Sequence, residues 1–200
     1  MTLVLGLTGG IATGKSTADK FFQKKQIPII DCDLLAHQLM EPGEVLWQEI
    51  KDVFGPAYLK ADHSIDRKKL GQLVFNNPQE LARLNQLTHK WIYRKIQERI
   101  AAAKKAQVPL IVVDAPTLYE SGGQEYCDQV LVIALPAELQ LKRLMARNNL
   151  SQDQALARIN SQMPLTKKIA QANYVVFNTG TIEELKSKLE EVLLKIEAEV

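Results

Sequence analysis

A glycine-rich stretch near the start of the chain has the residue types of a phosphate-binding loop. Gly9, Gly14, Lys15 and Ser16 match the pattern G-x-x-x-x-G-K-S in full. In such a loop the backbone N–H groups turn toward phosphate oxygens, and side chains in place of the glycines would obstruct them. We expect Lys15 to act in catalysis at the β- and γ-phosphates and the Ser16 hydroxyl to bind Mg²⁺. The stretch therefore predicts binding of a nucleoside triphosphate, without saying what is done with it.

Asp114 lies at the end of the apolar run "LIVVD", where a core strand would finish. An acid at the carboxyl tip of such a strand is the Walker-B arrangement, which holds Mg²⁺ directly or through water. The alternative interpretation is that Asp114 caps a turn before Pro116. Because the phosphate-binding loop is present, the metal-binding interpretation is favoured, and Ser16 and Asp114 are the predicted Mg²⁺ ligands.

Two further acids lie where the apolar run "IPIID" ends: Asp31 is its last residue, and Asp33 comes two residues later. This position is the edge of a parallel sheet, where ligands usually sit. A carboxylate there can accept a hydrogen bond from an attacking hydroxyl group, orient it toward the γ-phosphorus and take its proton. We assign this role to Asp33, because Asp31 belongs to the strand end and could equally be structural. The alternative role for Asp33 is to cap the following helix, and the two roles could coexist.

Apolar runs of strand length alternate with helical segments along the chain. The runs occupy residues 3–8, 27–31, 109–116, 128–135 and 174–180. Such alternation predicts an α/β fold with a largely parallel sheet. Since the glycine-rich loop follows the first strand, the expected fold is a P-loop NTPase of the nucleotide-kinase kind, with a five-stranded parallel sheet flanked by helices.

The spacing of the strands predicts two helical additions to this core. The chain between the second and third strands is mostly helical and too long for one crossover helix. We therefore expect a nucleotide-binding core at 1–33 and 107–200, and a helical insertion at 34–106 that binds the phosphate acceptor. A second helical stretch predicts a lid at 140–170 within the core. The basic residues of that stretch are Arg143, Arg147, Arg158, Lys167 and Lys168.

Composition excludes several classes of protein. The formal net charge of +2 gives no global field of the kind that marks nucleic-acid binders. No apolar run approaches the length of a membrane span, and the apolar N-terminal stretch is too short for a secretory signal. Cys32 and Cys127 have no metal-binding spacing and are expected to be small buried residues of a reduced, cytoplasmic protein. We expect no nucleic-acid or membrane partner, and a monomer or weak homo-oligomer.

A compact P-loop chain with a helical insertion after its second strand is typical of kinases that act on small molecules. GTPases carry NKxD and DxxG motifs, and neither is present in the sequence. In a small-molecule kinase the insertion holds the acceptor, and the lid closes to exclude water so that phosphate is not lost to hydrolysis. A regulatory protein whose P-loop only senses ATP is a different possibility. Asp33 and the arginine pair Arg143 and Arg147 argue against it.

Several segments of the chain, in this order, resemble one kinase family. They are "LTGGIATGKST", "IIDCDLLAHQLMEPG", "DRKKLGQLVF", "LNQLTH", "VVDAPTLYES", "QLKRLMARN", "RINSQMP" and "VVFNTG". Together they are similar to the dephospho-CoA kinase family over about residues 3 to 195. The stretches D-x-D-x-x-A and D-x-P-x-L-x-E are far more particular to this family than the P-loop is.

The resemblance implies ATP-dependent phosphorylation of the ribose 3′-hydroxyl of dephospho-CoA, with Mg²⁺, to give coenzyme A and ADP. The runner-up is a P-loop kinase for another small acceptor, such as a nucleoside or nucleotide. Asp33 matches the acid beside the acceptor hydroxyl, and Arg67 and His89 match positions of the acceptor domain. Arg143 and Arg147 match the catalytic lid arginines. The residues that match the nucleotide site are Gly9, Gly10, Ala12, Thr13, Gly14, Lys15, Ser16, Thr17, Asn178 and Gly180.

Simpler interpretations stand beside some of these matches. Arg143 and Arg147, one helical turn apart, could form a solvated basic face instead of balancing transition-state charge. His89 by itself is more typical of a core or capping histidine. The Asn-x-Gly turn that begins at Asn178 is common at strand ends for backbone reasons alone. Ala12 stands where the family often has glycine, which argues against a positive φ at that position.

Overall fold

Five strands form a single sheet in the order β2-β3-β1-β4-β5. The computed structural model describes residues 2–199, and of Phe75 only the backbone, so residues 1 and 200 of the predicted core lie outside the described residues. The strands are β1 Leu3–Gly9, β2 Ile29–Asp31, β3 Leu110–Asp114, β4 Gln129–Ala134 and β5 Tyr174–Phe177. The predicted α/β fold with a five-stranded parallel sheet is confirmed. β2 begins later than the apolar run suggested.

β1 lies at the centre of the sheet and sets where the loops after the strands meet. It pairs in parallel with β3, where Leu7 is opposite Asp114, and with β4, where Gly9 is opposite Ile133. Because the strands are parallel, their carboxyl ends share one edge of the sheet. The register therefore brings the start of the glycine-rich loop and the acid that ends β3 to the same edge.

Nine helices of at least seven residues lie in the part of the chain that the structure describes. They are α1 Lys15–Lys24, α2 Cys32–Leu39, α3 Val45–Phe54, α4 Arg67–Asn76, α5 Pro78–Lys105, α6 Ala137–Asn148, α7 Gln152–Asn160, α8 Leu165–Gln171 and α9 Ile182–Glu197. The predicted lid segment therefore consists of three helices, α6 to α8. No helix of residues 2–199 is both long and apolar enough to cross a membrane.

The chain divides into two compact units, Met1–Ile30 with Ile100–Val200, and Asp31–Arg99. The first unit contains the sheet, and its core packs α1 and α9 against the strands. Phe22 of α1 and Leu189 of α9 are both fully buried in this core. On α9 the buried residues recur at helical spacing, so that one stripe faces the sheet.

The second unit contains α2, α3, α4 and most of α5, and these helices bury apolar residues. Leu46 and Ile50 of α3 are buried, as are Leu70 of α4 and Ile96 of α5. In each of these helices the opposite face carries charged residues, which is the pattern of helices that pack on one side only.

The two cysteines differ from the sequence-based expectation. Cys32 and Cys127 are both half-buried, whereas the sequence suggested that they would be buried. Burial of the Cys127 thiol, with the adjacent Asp128 charge as the smaller cause, raises its pKa to about 12. A raised pKa favours the protonated thiol at neutral pH, and the thiol is a poorer nucleophile than the thiolate.

Candidate active site

The glycine-rich loop turns tightly between β1 and α1. Gly14 has a φ of +98° and precedes the first residue of α1, a conformation that favours glycine. A side chain at Gly9 would lie 2.6 Å from the carbonyl oxygen of Ile133. No side chain of the described residues caps α1, and its first turn contains no acid. The N–H groups of that turn and the positive end of the helix dipole are therefore suited to an anion.

Ala12 corrects one expectation, because its φ is +63°. The sequence argued against a positive φ at this position, since alanine resists the left-handed region. The loop nevertheless adopts it, at a cost of about 1–2 kcal/mol relative to a right-handed conformation. Some other part of the structure must offset that cost.

Three amide side chains from distant parts of the chain hold the backbone of the loop. Gln140 of α6 donates to the carbonyl oxygen of Ile11 at 3.0 Å, and Gln162 accepts from the N–H of Ile11 at 3.0 Å. Asn178, after β5, donates to the carbonyl oxygen of Thr13 at 2.9 Å. Gln140 and Gln162 both lie in segments that carried the family resemblance, "QLKRLMARN" and "RINSQMP", but no role was predicted for either side chain. Residue type and spacing alone do not indicate that a glutamine contacts a loop far away in the chain. Asn178 was predicted for the nucleotide site.

Lys15 and Asp114 lie in direct contact at the carboxyl edge of the sheet. Lys15 Nζ is 2.6 Å from both carboxylate oxygens of Asp114, and 3.5 Å from Asp19 one helical turn along α1. The Asp114 side chain is almost fully buried. The structure therefore brings together the lysine and the acid that the sequence predicted for phosphate and Mg²⁺.

The other predicted nucleotide residues occupy different environments. Thr13 is fully buried, and its hydroxyl donates to the carbonyl oxygen of Gly10 at 2.8 Å, so this side chain shapes the loop. Ser16 is exposed at the start of α1, and Thr17 beside it is half-buried. Gly180 is exposed on the segment after β5. Their predicted contacts with nucleotide stay predictions.

The two predicted lid arginines both lie on α6. Arg143 is half-buried and Arg147 is exposed, and they are separated by one helical turn. Arg147 Nε donates to the side chain of Asn148 at 2.9 Å. An exposed guanidinium of this kind can move toward a phosphate at little cost, because it gives up only a solvated contact.

Lys168 differs from the other basic residues of the predicted lid. Its side chain is fully buried, with Nζ 2.9 Å from Glu120 Oε1 and donating to the carbonyl oxygen of Pro116 at 2.6 Å. The same Glu120 oxygen accepts from the N–H of Met163 at 2.8 Å. Lys168 is thus not part of a basic surface, as its charge alone suggested. It ties α8 to the loop that follows Asp114.

Replacing Lys168 with methionine is expected to lower the free energy of unfolding by ~2–3 kcal/mol. The substitution keeps the length of the side chain but leaves Glu120 and the Pro116 carbonyl without their buried donor. Because Glu120 stays partly exposed, water offsets some of the loss. Denaturant-induced unfolding measures the change. The matched control is Lys167→Met, one residue earlier and exposed, which should change stability by less than ~0.5 kcal/mol. Equal losses in both variants would contradict a structural role of the buried ammonium.

The acids after β2 have separate functions in the second unit. Asp31 is the N-cap of α2, because its carboxylate accepts from the N–H of Leu34 at 2.8 Å. Asp33 lies within the first turn of α2 and is exposed. The alternative role that the sequence left open for Asp33, capping this helix, therefore belongs to Asp31. The Asp33 carboxylate is not used for capping.

A cavity of about 610 Å³ opens beside α2 and α4 in this unit. Asp33, His37 and Arg67 supply its polar groups, and the remainder of its lining is mostly aliphatic, including Leu70 and Leu84. Arg67 Nη1 lies 2.6 Å from His37 Nε2; because a guanidinium can only donate, the ring nitrogen is the acceptor. Two of the predicted acceptor-side residues, Asp33 and Arg67, thus line one cavity with an acid, a base and an apolar wall.

His89 is not among the residues that line this cavity. It lies on α5, half-buried, with its ring 5.6 Å from the ring of Tyr93. Burial lowers the pKa of His89, which favours the neutral ring at physiological pH. A neutral imidazole can donate a hydrogen bond to an acceptor molecule but brings no positive charge to a phosphate.

Comparison with known proteins identifies the family. The sequence model of the family described as dephospho-CoA kinase matches residues 3–184. A dephospho-CoA kinase of Lactobacillus acidophilus is 53% identical over 201 residues, covering 100% of both chains.

Solved structures agree with the sequence match. A dephospho-CoA kinase from Campylobacter jejuni is similar with a TM-score of 0.75 and 32% identity, over 98% of each chain. A crystal structure of a Thermus thermophilus protein is similar with a TM-score of 0.82 and 32% identity, over 97% of each chain. The resemblance drawn from the motifs is confirmed: this chain belongs to the dephospho-CoA kinase family.

Proposed function

We propose that the chain transfers the γ-phosphoryl group of ATP to the ribose 3′-hydroxyl of dephospho-CoA, giving coenzyme A and ADP. The observation that carries this proposal is the family match, which covers residues 3–184. The kinase family implies ATP as the nucleotide substrate. The geometry described above supports proposed roles for several of the predicted residues.

The nucleotide's phosphates are proposed to bind the glycine-rich loop and the first turn of α1. Lys15 neutralises charge on the β- and γ-phosphates, and on binding it exchanges part of its contact with Asp114 for phosphate oxygens. The hydroxyl of Ser16 and the carboxylate of Asp114 are hard oxygen ligands, which suit Mg²⁺. Mg²⁺ would supply charge neutralisation at the phosphates. Few protein ligands are needed, because Mg²⁺ in such sites keeps waters and phosphate oxygens in its shell.

Asp33 is the proposed general base. It accepts a hydrogen bond from the 3′-hydroxyl of the acceptor and takes its proton as the oxygen–phosphorus bond forms. The bond between the γ-phosphorus and the bridging oxygen breaks, and ADP leaves with that oxygen. Arg67, which lines the same cavity as Asp33, and His89, elsewhere in the same unit, are proposed to bind dephospho-CoA. The exposure of Asp33 in the cavity, and its freedom from the capping bond, support this assignment.

Arg143 and Arg147, in the predicted lid segment 140–170, are proposed to meet the phosphates from the part of α6 that follows Gln140. Their i, i+4 spacing on one helix would let both guanidinium groups reach the same charged group. Donors aimed at charge that develops during transfer lower the barrier most. We also propose that the chain acts in the cytoplasm, as a monomer or weak homo-oligomer.

A coupled assay for ADP tests the acceptor. The chain is offered ATP with dephospho-CoA, adenosine, AMP or shikimate in separate reactions, and each is corrected for ADP formed without acceptor. We expect rapid ADP formation with dephospho-CoA alone. ADP formation with a different acceptor and none with dephospho-CoA would overturn the proposal in favour of another small-molecule kinase. ATP binding without turnover on any acceptor would indicate a nucleotide sensor.

A further inference from the structure

Two glutamine side chains form hydrogen bonds to the backbone of the loop in which Ala12 has a left-handed conformation. We propose that Gln140 and Gln162 are positioning residues that hold the backbone around Ile11, and so preset the glycine-rich loop for the phosphates of ATP. The inference deepens the proposed function and rests on ATP binding at this loop.

The two contacts fix both peptide groups of Ile11. Gln162 accepts from the Ile11 N–H at 3.0 Å, which orients the peptide group between Gly10 and Ile11. Gln140 donates to the Ile11 carbonyl oxygen at 3.0 Å, which orients the next peptide group, between Ile11 and Ala12. The φ of Ala12 is the rotation directly after that second peptide group. The two amides therefore restrain the torsion that alanine alone would not choose.

The residue type at position 12 explains why such a restraint matters. Glycine would enter the left-handed region without steric cost, but alanine has a φ of +63° here against its own preference. Thr13 also helps to close the turn, through its bonds to the Gly10 carbonyl oxygen. Those bonds hold the carbonyl oxygen of the peptide group between Gly10 and Ile11, whose N–H is held by Gln162. They do not contact the next peptide group, between Ile11 and Ala12, whose carbonyl oxygen accepts from Gln140.

The glutamines come from separate elements, which makes the loop's shape depend on the rest of the fold. Gln140 is buried on α6, and Gln162 is half-buried in the turn between α7 and α8. Both line a cavity of about 320 Å³ that also includes Gly10. Methionine is unbranched and similar in length to glutamine. At either position it therefore removes the hydrogen bond to Ile11 while changing the shape of the side chain little.

Loss of either glutamine hydrogen bond is expected to weaken the binding of ATP and to leave the binding of dephospho-CoA nearly unchanged. A loop that samples other conformations must be ordered when the phosphates bind, so nucleotide affinity falls. The variants Gln140→Met and Gln162→Met are each expected to raise the Kd for ATP about tenfold. The KM for dephospho-CoA should stay within about twofold, because these residues do not lie in the unit that holds the acceptor. Gln171→Met, an exposed glutamine on α8, is the matched control and should bind ATP as the wild type does.

The decisive measurement repeats both substitutions with glycine at position 12. Because glycine needs no restraint to reach a positive φ, each Gln→Met change should raise the Kd for ATP by less than about threefold in the Ala12→Gly background. ATP affinity is measured by calorimetry, with folding of each variant checked by thermal unfolding. Equal losses of affinity in both backgrounds, or unchanged affinity in the single variants, would overturn the inference while leaving the proposed function intact. A wild-type chain that bound no ATP would overturn both.

Discussion

The substitution Asp33→Asn is expected to lower kcat by at least ~10²-fold while ATP still binds. Asparagine keeps the size of the side chain and can still hold the acceptor hydroxyl by a hydrogen bond. It cannot take the proton, so the loss falls on the chemical step. The helix should survive, because the capping bond of α2 comes from Asp31. Single-turnover measurement of phosphoryl transfer, with ATP binding measured separately, checks both halves of the prediction.

Asp31→Asn is the matched control for this variant. It makes the same chemical change two residues away, and asparagine is nearly as good an N-cap as aspartate. We therefore expect a near-normal kcat and little change in thermal stability. A near-normal rate in Asp33→Asn would refute the general-base role, and a large loss confined to Asp31→Asn would transfer that role to Asp31.

Lys15→Ala is expected to reduce turnover as severely as Asp33→Asn does, by at least ~10²-fold. The change removes the ammonium that neutralises the β- and γ-phosphates, and with it the contact at 2.6 Å to Asp114. We expect weaker ATP binding as well as a lower kcat, which distinguishes this variant from Asp33→Asn. Steady-state kinetics with varied ATP, together with direct measurement of ATP binding, separates the two effects.

The control for Lys15 lies on the same helix. Lys20 is exposed on α1, and Lys20→Ala removes one positive charge without touching the loop. Its turnover should stay within about twofold of the wild type, because exposed charges at this distance are screened by salt. Substantial activity in Lys15→Ala would mean that the assignment of the glycine-rich loop is wrong.

The parts of the fold that could be predicted are those determined by neighbouring residues. The apolar runs located all five strands, most clearly β1, β3 and β4, because strands that are buried on both faces are apolar throughout. The glycine-rich loop and Asp114 could be predicted because their residue types stand next to a strand end. The family resemblance then supplied the substrate, which no pattern of charge or spacing alone contained.

Other features depend on contacts between distant segments, or on a shift of one residue. The residue at which α2 begins decides whether Asp31 or Asp33 caps it. Sequence patterns locate helix ends only to within a few residues. The positive φ of Ala12 depends on Gln140 and Gln162, more than 120 residues away in the chain. The burial of Lys168 depends on its ion pair with Glu120, which lies outside α8 in a distant part of the chain.

The short turn between α7 and α8 carries residues that hold two separate loops, so its length is constrained. Gln162 in the turn holds the glycine-rich loop, and Met163 with Lys168 holds the loop after Asp114. Surface turns normally tolerate insertions and deletions. Here a single added or removed residue would shift Gln162 and Lys168 relative to each other, and one of the two loops would be released. We expect related sequences to keep the length of this turn, even where the residue types in it differ.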